Sequence, residues 1–563
     1  MAEDFLKAAV KRVEEQFAKS GVSESCAAFE RKENQIEMRD GVKLHTIYYF
    51  PKEDTAEEKT YPVILTRTCY PGNDRIHRAY GEGLARRGYV YVYQYCRGRE
   101  NSEGKWEPNI NERKDGIDTM NYLVEQPWCE ILGYWGHSYT SMTGWAFADA
   151  AEGKVAAMFL EDYGTDRFVS AYEKGCFRHD ILTAWSMENA EKPVNADYRE
   201  SCRYLPQIEV DEALWGQKVP SYREYITSPN PDAALWQTGW WKQLREIPSK
   251  TKVPIYLLSG WYDHHHGSSM KTWERLNEET KQHSWLEIGA WNHFFQICLE
   301  GKEVMHPQNE EIPKMLEWFE LTLKQKEIPT QRIRAYEIGA DRWMDTVSDG
   351  LGEKGTAGSM TLYLDEKTLR TDTPEQEKTR NYTFDPATPV ESIGGEALLH
   401  TMPQIGSHLQ PEPDYREDVL SFVSEPLEET FTLNGKASVR LFVESDCEDT
   451  AFTAKIMEVT PEGKAYNIRS SIATLEQGKT EAGTYEPGSV AEVQITMWNI
   501  VYTILKGSRI RVDVSSSDFP QYHVHSNQKG LWSEKTENKI AHQTIHTGGV
   551  HASCVILPLM KKQ

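Results

Sequence analysis

The stretch Glu130-Ile131-Leu132-Gly133-Tyr134-Trp135-Gly136-His137-Ser138-Tyr139-Thr140-Ser141 constrains this chain more than any other. Ile131 to Trp135 is an apolar run of strand length, and the residues after it, Ser141 to Ala148, are small and helix-tolerant. A serine at such a strand-to-helix junction sits on a tight, strained turn that lifts its hydroxyl clear of the backbone. It also stands at a helix N-terminus, where free N–H groups favour a developing negative charge. Gly136 lets the turn pack closely. Thr140, however, replaces the second glycine of G-x-S-x-G, and the pentapeptide alone favours an ordinary N-cap serine.

The order of elements around it changes that balance. Asp40-Gly41 reads as a hairpin turn between extended stretches at 35–39 and 43–50. Pro62–Arg67, Tyr89–Tyr95 and Ile131–Trp135 read as strands, with helices near 79–87 and 112–125 between them. Strands alternating with helices predict a parallel α/β sheet, whose working loops follow the carboxyl ends of the strands. Two later strands, Val253–Gly260 and Ser284–Gly289, run into Trp261-Tyr262-Asp263 and Ala290-Trp291-Asn292-His293. Alone, Asp263 is a loop carboxylate and His293 a core histidine. In the order Ser138, Asp263, His293, each just past a strand, they form the constellation of an α/β-hydrolase triad.

Composition limits the partners. Acidic residues exceed basic ones by 23 among 563, and no stretch is markedly basic, which argues against nucleic acid or an anionic membrane surface. Nine cysteines without a C-x-x-C pair suit reduced thiols. No apolar run reaches the ~18 residues of a spanning helix, and the N-terminus lacks a secretory core. A cytoplasmic protein is the expectation. Leu6, Val10, Val13 and Phe17 share one face of a helix over 3–19, read as a docked surface helix or, alternatively, a homodimer contact.

Several words along the chain resemble the cocaine-esterase/X-prolyl dipeptidyl peptidase (CocE/NonD) group of serine hydrolases. Thr66-Arg67-Thr68-Cys69-Tyr70 is similar to its T-R-x-x-Y loop, and Gln94–Arg99 with Ser102-Glu103-Gly104 to Q-D-x-R-G-R…S-x-G. Asp115–Thr119, Gln126-Pro127-Trp128, Gly260–Asp263 and Gly289–His293 resemble D-G-x-D-T, Q-P-W, G-W-x-D and G-x-W-x-H. Tyr95, Ser141 and Asn292 depart from the usual Asp, Gly and Ser. The resemblance implies an α/β-hydrolase domain (34–164 and 246–349) behind an N-terminal lead-in (1–33). It further implies a helical cap at 165–245 and a jelly-roll β-sandwich at 350–563. The cap stretch carries Trp185, Trp215, Trp236, Trp240 and Trp241, expected mostly as cap core, with one or two lining a pocket. Beyond Gly350 the short alternating strands independently predict an all-β sandwich.

Ser138 is then the nucleophile, His293 its base and Asp263 the orienting acid. The Tyr139 amide is one oxyanion donor and, by resemblance, the Tyr70 hydroxyl the other. His137, His264, His265 and Trp291 are expected to line the substrate pocket. The run His264-His265-His266 invites a metal reading, but adjacent histidines in a loop converge poorly on one ion, so no metal and no cofactor are expected. Amino-acid ester hydrolase relatives place carboxylates two and three positions after the aspartate, where this chain has His265 and His266. That weakens the case for a substrate with a free α-amine. Three readings follow. The favoured one is a hydrolase of a small acyl ester or amide; the others are an X-Pro dipeptidyl peptidase and a non-catalytic binding protein using the jelly roll.

Overall fold

The computed structural model describes residues 2–52, 59–72, 74–346, 351–397, 402 and 404–560. A ten-stranded sheet organises the first 346 residues. Its spatial order is Ala28–Glu37, Lys43–Lys52, Val90–Tyr95, Tyr61–Thr68, Cys129–His137, Val155–Glu161, Ile255–Gly260, Trp285–Gly289, Arg332–Glu337, Arg342–Thr346. The strands from Val90–Tyr95 to Arg332–Glu337 run parallel. Antiparallel strands finish both edges.

Alternating side chains give the parallel strands two buried faces, as the period of two requires. Val63, Leu65, Val90 and Val92 join the core that includes Met120, Leu123, Met142 and Trp145 from the helices Glu112–Val124 and Tyr139–Trp145. Ile64, Tyr91, Tyr93, Phe159, Tyr256 and Leu258 pack on the other face. There they meet Val13 and Phe17 of the helix Ala2–Lys19, Leu84 of Asp74–Arg86 and Trp318 of Glu311–Phe319. Val13 and Phe17 thus dock the N-terminal helix on its own chain.

Between Glu161 and Ile255 the chain forms short helices, among them Arg167–Ala171, Ala184–Glu188, Pro220–Ile226 and Gly239–Lys250. Trp215, Trp236 and Trp241 are buried in this layer. The strand Val155–Glu161 has no counterpart in the sequence reading, although Val155 to Leu160 is uniformly apolar. From Thr356 onward a 13-stranded antiparallel-dominated sheet system makes up the β domain. It packs directly under the catalytic half: Asn499 O lies 3.2 Å from His266 Nε2, and Ile468 O accepts from Tyr262 Oη at 3.4 Å. Among the described residues no helix is long and apolar enough to cross a membrane.

Candidate active site

Ser138 ends the strand Cys129–His137 and precedes the helix Tyr139–Trp145 with φ 57° and ψ −125°. That left-handed backbone is strained for a non-glycine residue and needs surrounding bonds to hold it. Its amide donates to Glu161 O at 3.0 Å, across to the next strand. Ser141 Oγ donates to Gly136 O at 2.9 Å and accepts from the Glu161 amide at 2.7 Å. Thr140 Oγ1 accepts from the His137 amide at 2.6 Å and donates to His137 O at 2.7 Å. The two departures from the expected glycines therefore brace the turn through side-chain hydroxyls. Gly136 has no such latitude, because a Cβ there would meet Thr140 O at 2.2 Å.

Asp263 and His293 are brought together by adjacent parallel strands, Ile255–Gly260 and Trp285–Gly289. His293 Nδ1 lies 2.5 Å from Asp263 Oδ2, and both side chains are buried. Asp263 Oδ1 accepts from the His265 amide at 2.8 Å, so one oxygen holds the loop and the other the imidazole. Asn292 Oδ1 accepts from the Phe294 and Gln296 amides at 3.0 and 3.2 Å and shapes the turn that presents His293. Burial lowers the His293 pKa below the ordinary 6.5, although the Asp263 charge and hydrogen bond pull it up. Burial thus favours the neutral imidazole, the form a general base needs.

Tyr70 follows the strand Tyr61–Thr68, and its hydroxyl reaches both the Ser138 side chain and Trp185 Nε1, which donates at 3.4 Å. Burial pushes that phenol up, so it stays a proton donor. Tyr139 offers its amide, at the first residue of a helix whose opening N–H groups have no intrahelical acceptor. Its side chain is committed elsewhere: Tyr139 Oη donates to Glu112 Oε1 at 3.0 Å and accepts from the Asn109 amide at 2.8 Å. Trp185 stacks on the Tyr139 ring, 5.9 Å between centroids and 10° between planes.

The residues expected to line a pocket divide. His137 is partly exposed beside His293, 4.8 Å between rings, with Nε2 on His293 O at 2.8 Å. His264 and His265 are buried, the first with its ring 4.1 Å from that of His293. Burial, reinforced by His293, holds both neutral. Trp291 corrects the expectation. Its ring fills the space left by Gly260 and Gly289 and lies among Phe295, Trp343 and Lys314, so it supports the His293 turn from within the core. The three consecutive histidines diverge, His265 Nδ1 to Ser170 Oγ at 2.9 Å and His266 Nε2 to Asn499 O. Only His264 gathers with Asp263 and His293 at spacings a metal could use.

Asp162 was not anticipated. It follows the unanticipated strand Val155–Glu161 at φ 49° and is fully buried, and its carboxylate has no side-chain hydrogen bond, only a weak approach of the Gly260 backbone. Oδ2 lies 3.5 Å from His137 Nε2. Burial and the nearby Asp263 charge raise its pKa well above the ordinary carboxyl value. Glu161 beside it is raised likewise, chiefly by burial.

Comparison with known proteins bears on the family and the fold. The family model described as X-Pro dipeptidyl-peptidase (S15 family) matches residues 40–295, and that of the X-Pro dipeptidyl-peptidase C-terminal non-catalytic domain matches 329–556. Cocaine esterase of Rhodococcus sp. (strain MB1 Bresler) is 27% identical over 574 residues, covering 94% of this chain and 98% of its own. An aminopeptidase from a marine sediment Thaumarchaeota archaeon has a similar structure (TM-score 0.81, 21% identity, 95% of this chain and 96% of that one). So does an α-amino acid ester hydrolase (TM-score 0.81, 21% identity, 95% and 97%). With an α/β-hydrolase half, a C-terminal β domain and both family models in register along it, the chain belongs to the cocaine-esterase/X-prolyl dipeptidyl-peptidase (S15) group of serine hydrolases.

Proposed function

We propose that this enzyme hydrolyses a small acyl ester or amide through an acyl-enzyme on Ser138. The observation that carries the reading is the 2.5 Å contact between Asp263 Oδ2 and His293 Nδ1, with His137, the residue before the strained Ser138, in turn bonded to His293 O at 2.8 Å. His293 Nδ1 is committed to Asp263, which leaves Nε2 to take the Ser138 proton and return it to the leaving group. Ser138 Oγ then bonds to the substrate carbonyl carbon, the leaving group departs with that proton, and water repeats the sequence to release the acid. The Tyr139 amide and the Tyr70 hydroxyl receive the oxyanion. Both are placed before charge develops, which is where such donors gain most of their effect.

A fluorophosphonate probe tests the nucleophile: wild type should label and Ser138→Ala should not. Labelling that survives the substitution would move the nucleophile elsewhere. The family model named for X-Pro dipeptidyl-peptidase favours a second reading, release of dipeptides from a free N-terminus. A short-chain aryl ester assayed beside a Gly-Pro anilide separates the two. The ester is expected to win, because histidines follow Asp263 where a carboxylate would serve an ammonium group.

A further inference from the structure

The described chain buries six arginine side chains, Arg67, Arg87, Arg167, Arg178, Arg469 and Arg511. A buried guanidinium without an opposite charge is expensive, so partners are expected. Five have one. Carboxylates of Glu112, Glu24, Asp180, Glu396 and Asp513 lie within 4.0 Å of Arg67, Arg87, Arg178, Arg469 and Arg511 respectively. Arg167 is the exception, with no carboxylate in reach among the described residues. The neighbouring Asp166 carboxylate is turned away to Arg275 at 2.8 Å. Arg167 instead rests its guanidinium on Tyr225 and Trp241, 5.3 and 5.7 Å from their ring centroids, and faces the Tyr163 and Tyr225 hydroxyls. Burial raises both phenols, so neither supplies a negative charge. Its Nε is buried without a partner, and the hydrogen bonds the guanidinium does make run to the neutral Tyr163 and Tyr225 hydroxyls.

The place of this cation gives it meaning. Arg167 opens the helical turn Arg167–Ala171, and Ser170, three residues on, shares its face. Ser170 Oγ meets His265 Nδ1 at 2.9 Å. The His265 ring is 4.9 Å from that of Tyr163, 4.4 Å from that of His264 and 5.8 Å from that of the base His293. The Arg167 charge is felt at His264 and His265, where it adds to the burial that keeps them neutral. Tyr163, His265 and His264 therefore form a continuous row of rings from Arg167 to the triad, and His264 Nδ1 is a second polar atom in the group without a hydrogen-bond partner.

We propose that Arg167 binds a carboxylate carried by the substrate, which makes the preferred substrate an anionic ester or amide. This rests on the hydrolase reading and sharpens it. A planar guanidinium seated on two aromatic faces is pre-organised for bidentate contact with a carboxylate, and it remains charged under all working conditions. Buried away from water, it would discriminate by charge more strongly than exposed lysines on the surface.

Three esters of similar size test it: phenyl hexanoate, the monophenyl ester of adipic acid, and 4-carboxyphenyl hexanoate. They are neutral, anionic on the acyl side and anionic on the leaving group. The wild-type enzyme should favour one charged ester over the neutral one in kcat/KM by about tenfold or more, the scale of one charge-assisted contact. Which ester wins says which end of the substrate Arg167 holds. Arg167→Gln should lower that charged-to-neutral ratio by about tenfold or more, and Arg167→Lys should retain part of it. Should Arg167→Gln not fold, free adipate as a competitive inhibitor of wild-type phenyl hexanoate hydrolysis provides the second measurement. A labelled, active wild type that prefers the neutral ester and ignores adipate overturns the proposal, as does an Arg167→Gln enzyme with an unchanged ratio. If no ester is turned over and no fluorophosphonate label appears, the hydrolase reading itself fails and takes this one with it.

Discussion

His264 lies with its ring 4.1 Å from that of His293, the planes inclined by 39°, while its own Nδ1 is 3.9 Å from Asp263 Oδ2. A second imidazole so close to the base would repel the imidazolium if it were itself protonated. Burial prevents this by holding the His264 pKa well below 6.5.

The acid limb of the pH profile should consequently report one proton, on His293. Sequence reasoning alone places that limb at roughly pH 6 to 7, the range of an ordinary histidine. Burial lowers the pKa of His293 below 6.5, so the neutral base persists further into acid and activity is lost only as pH falls through the lowered value. The kcat/KM profile of a neutral aryl ester should rise with unit slope and a midpoint below 6.5. A midpoint above that value would show that Asp263 outweighs burial, and a slope of two that a second imidazole packed against His293 protonates with it.

Tyr70 Oη accepts from Trp185 Nε1 at 3.4 Å, and in the proposed mechanism its own proton serves the oxyanion. Tyr70→Phe should fold normally and lose about a hundredfold or more in kcat, since one oxyanion donor contributes ~3–4 kcal/mol to the transition state. Trp185→Phe, which keeps an aromatic ring beside Tyr139 but removes the indole N–H and part of the packed ring surface, should have a much smaller effect on kcat. Near-normal turnover by Tyr70→Phe removes the hydroxyl from the mechanism.

The parallel core was legible because its strands are short apolar runs separated by amphipathic helices, and Ser138, Asp263 and His293 each follow one directly. Asp263 and His293 do meet. Less legible was anything set by packing between elements. Trp291 sits one residue from Asn292 and two from His293, yet two glycines in neighbouring strands draw its ring into the core, away from any pocket. Asp162 and Arg167 escaped notice because the strand before them went unread, and because an unpaired charge is visible only once every other carboxylate has been placed. The departures at Thr140 and Ser141 read as local irregularities in sequence. In three dimensions their hydroxyls satisfy backbone groups of the elbow.

Ser141→Ala should destabilise by about 1 kcal/mol, because it removes a buried hydroxyl that bonds both Gly136 O and the Glu161 amide and leaves those two groups to the strand ladder alone. Gly136→Ala drives a Cβ into the backbone of Thr140, where no side chain can swing aside. It should abolish fluorophosphonate labelling even in whatever fraction folds. Thermal melts paired with labelling rates separate the two effects. A Gly136→Ala enzyme that labels at the wild-type rate would show the elbow to be far softer than its φ and ψ imply.

Asp162 makes the sharpest test of the electrostatics around the base. Its carboxylate has no side-chain hydrogen bond, and burial with the Asp263 charge raises its pKa well above 3.8 despite the Gly260 backbone. Above pH ~4 the unfolded chain ionises this group while the folded protein keeps it protonated, so the folded state loses stability as pH rises, until the raised folded pKa is passed. Asp162→Asn removes that proton dependence and closely matches the shape of a neutral carboxyl. Its melting temperature should exceed wild type at pH 8, with the gain shrinking toward pH 4, and its kcat/KM should stay close to wild type. A lower melting temperature at pH 8, with a drop in kcat, would instead mean that Asp162 is ionised, paired with His137 Nε2 at 3.5 Å, and part of the field that steadies the imidazolium of His293.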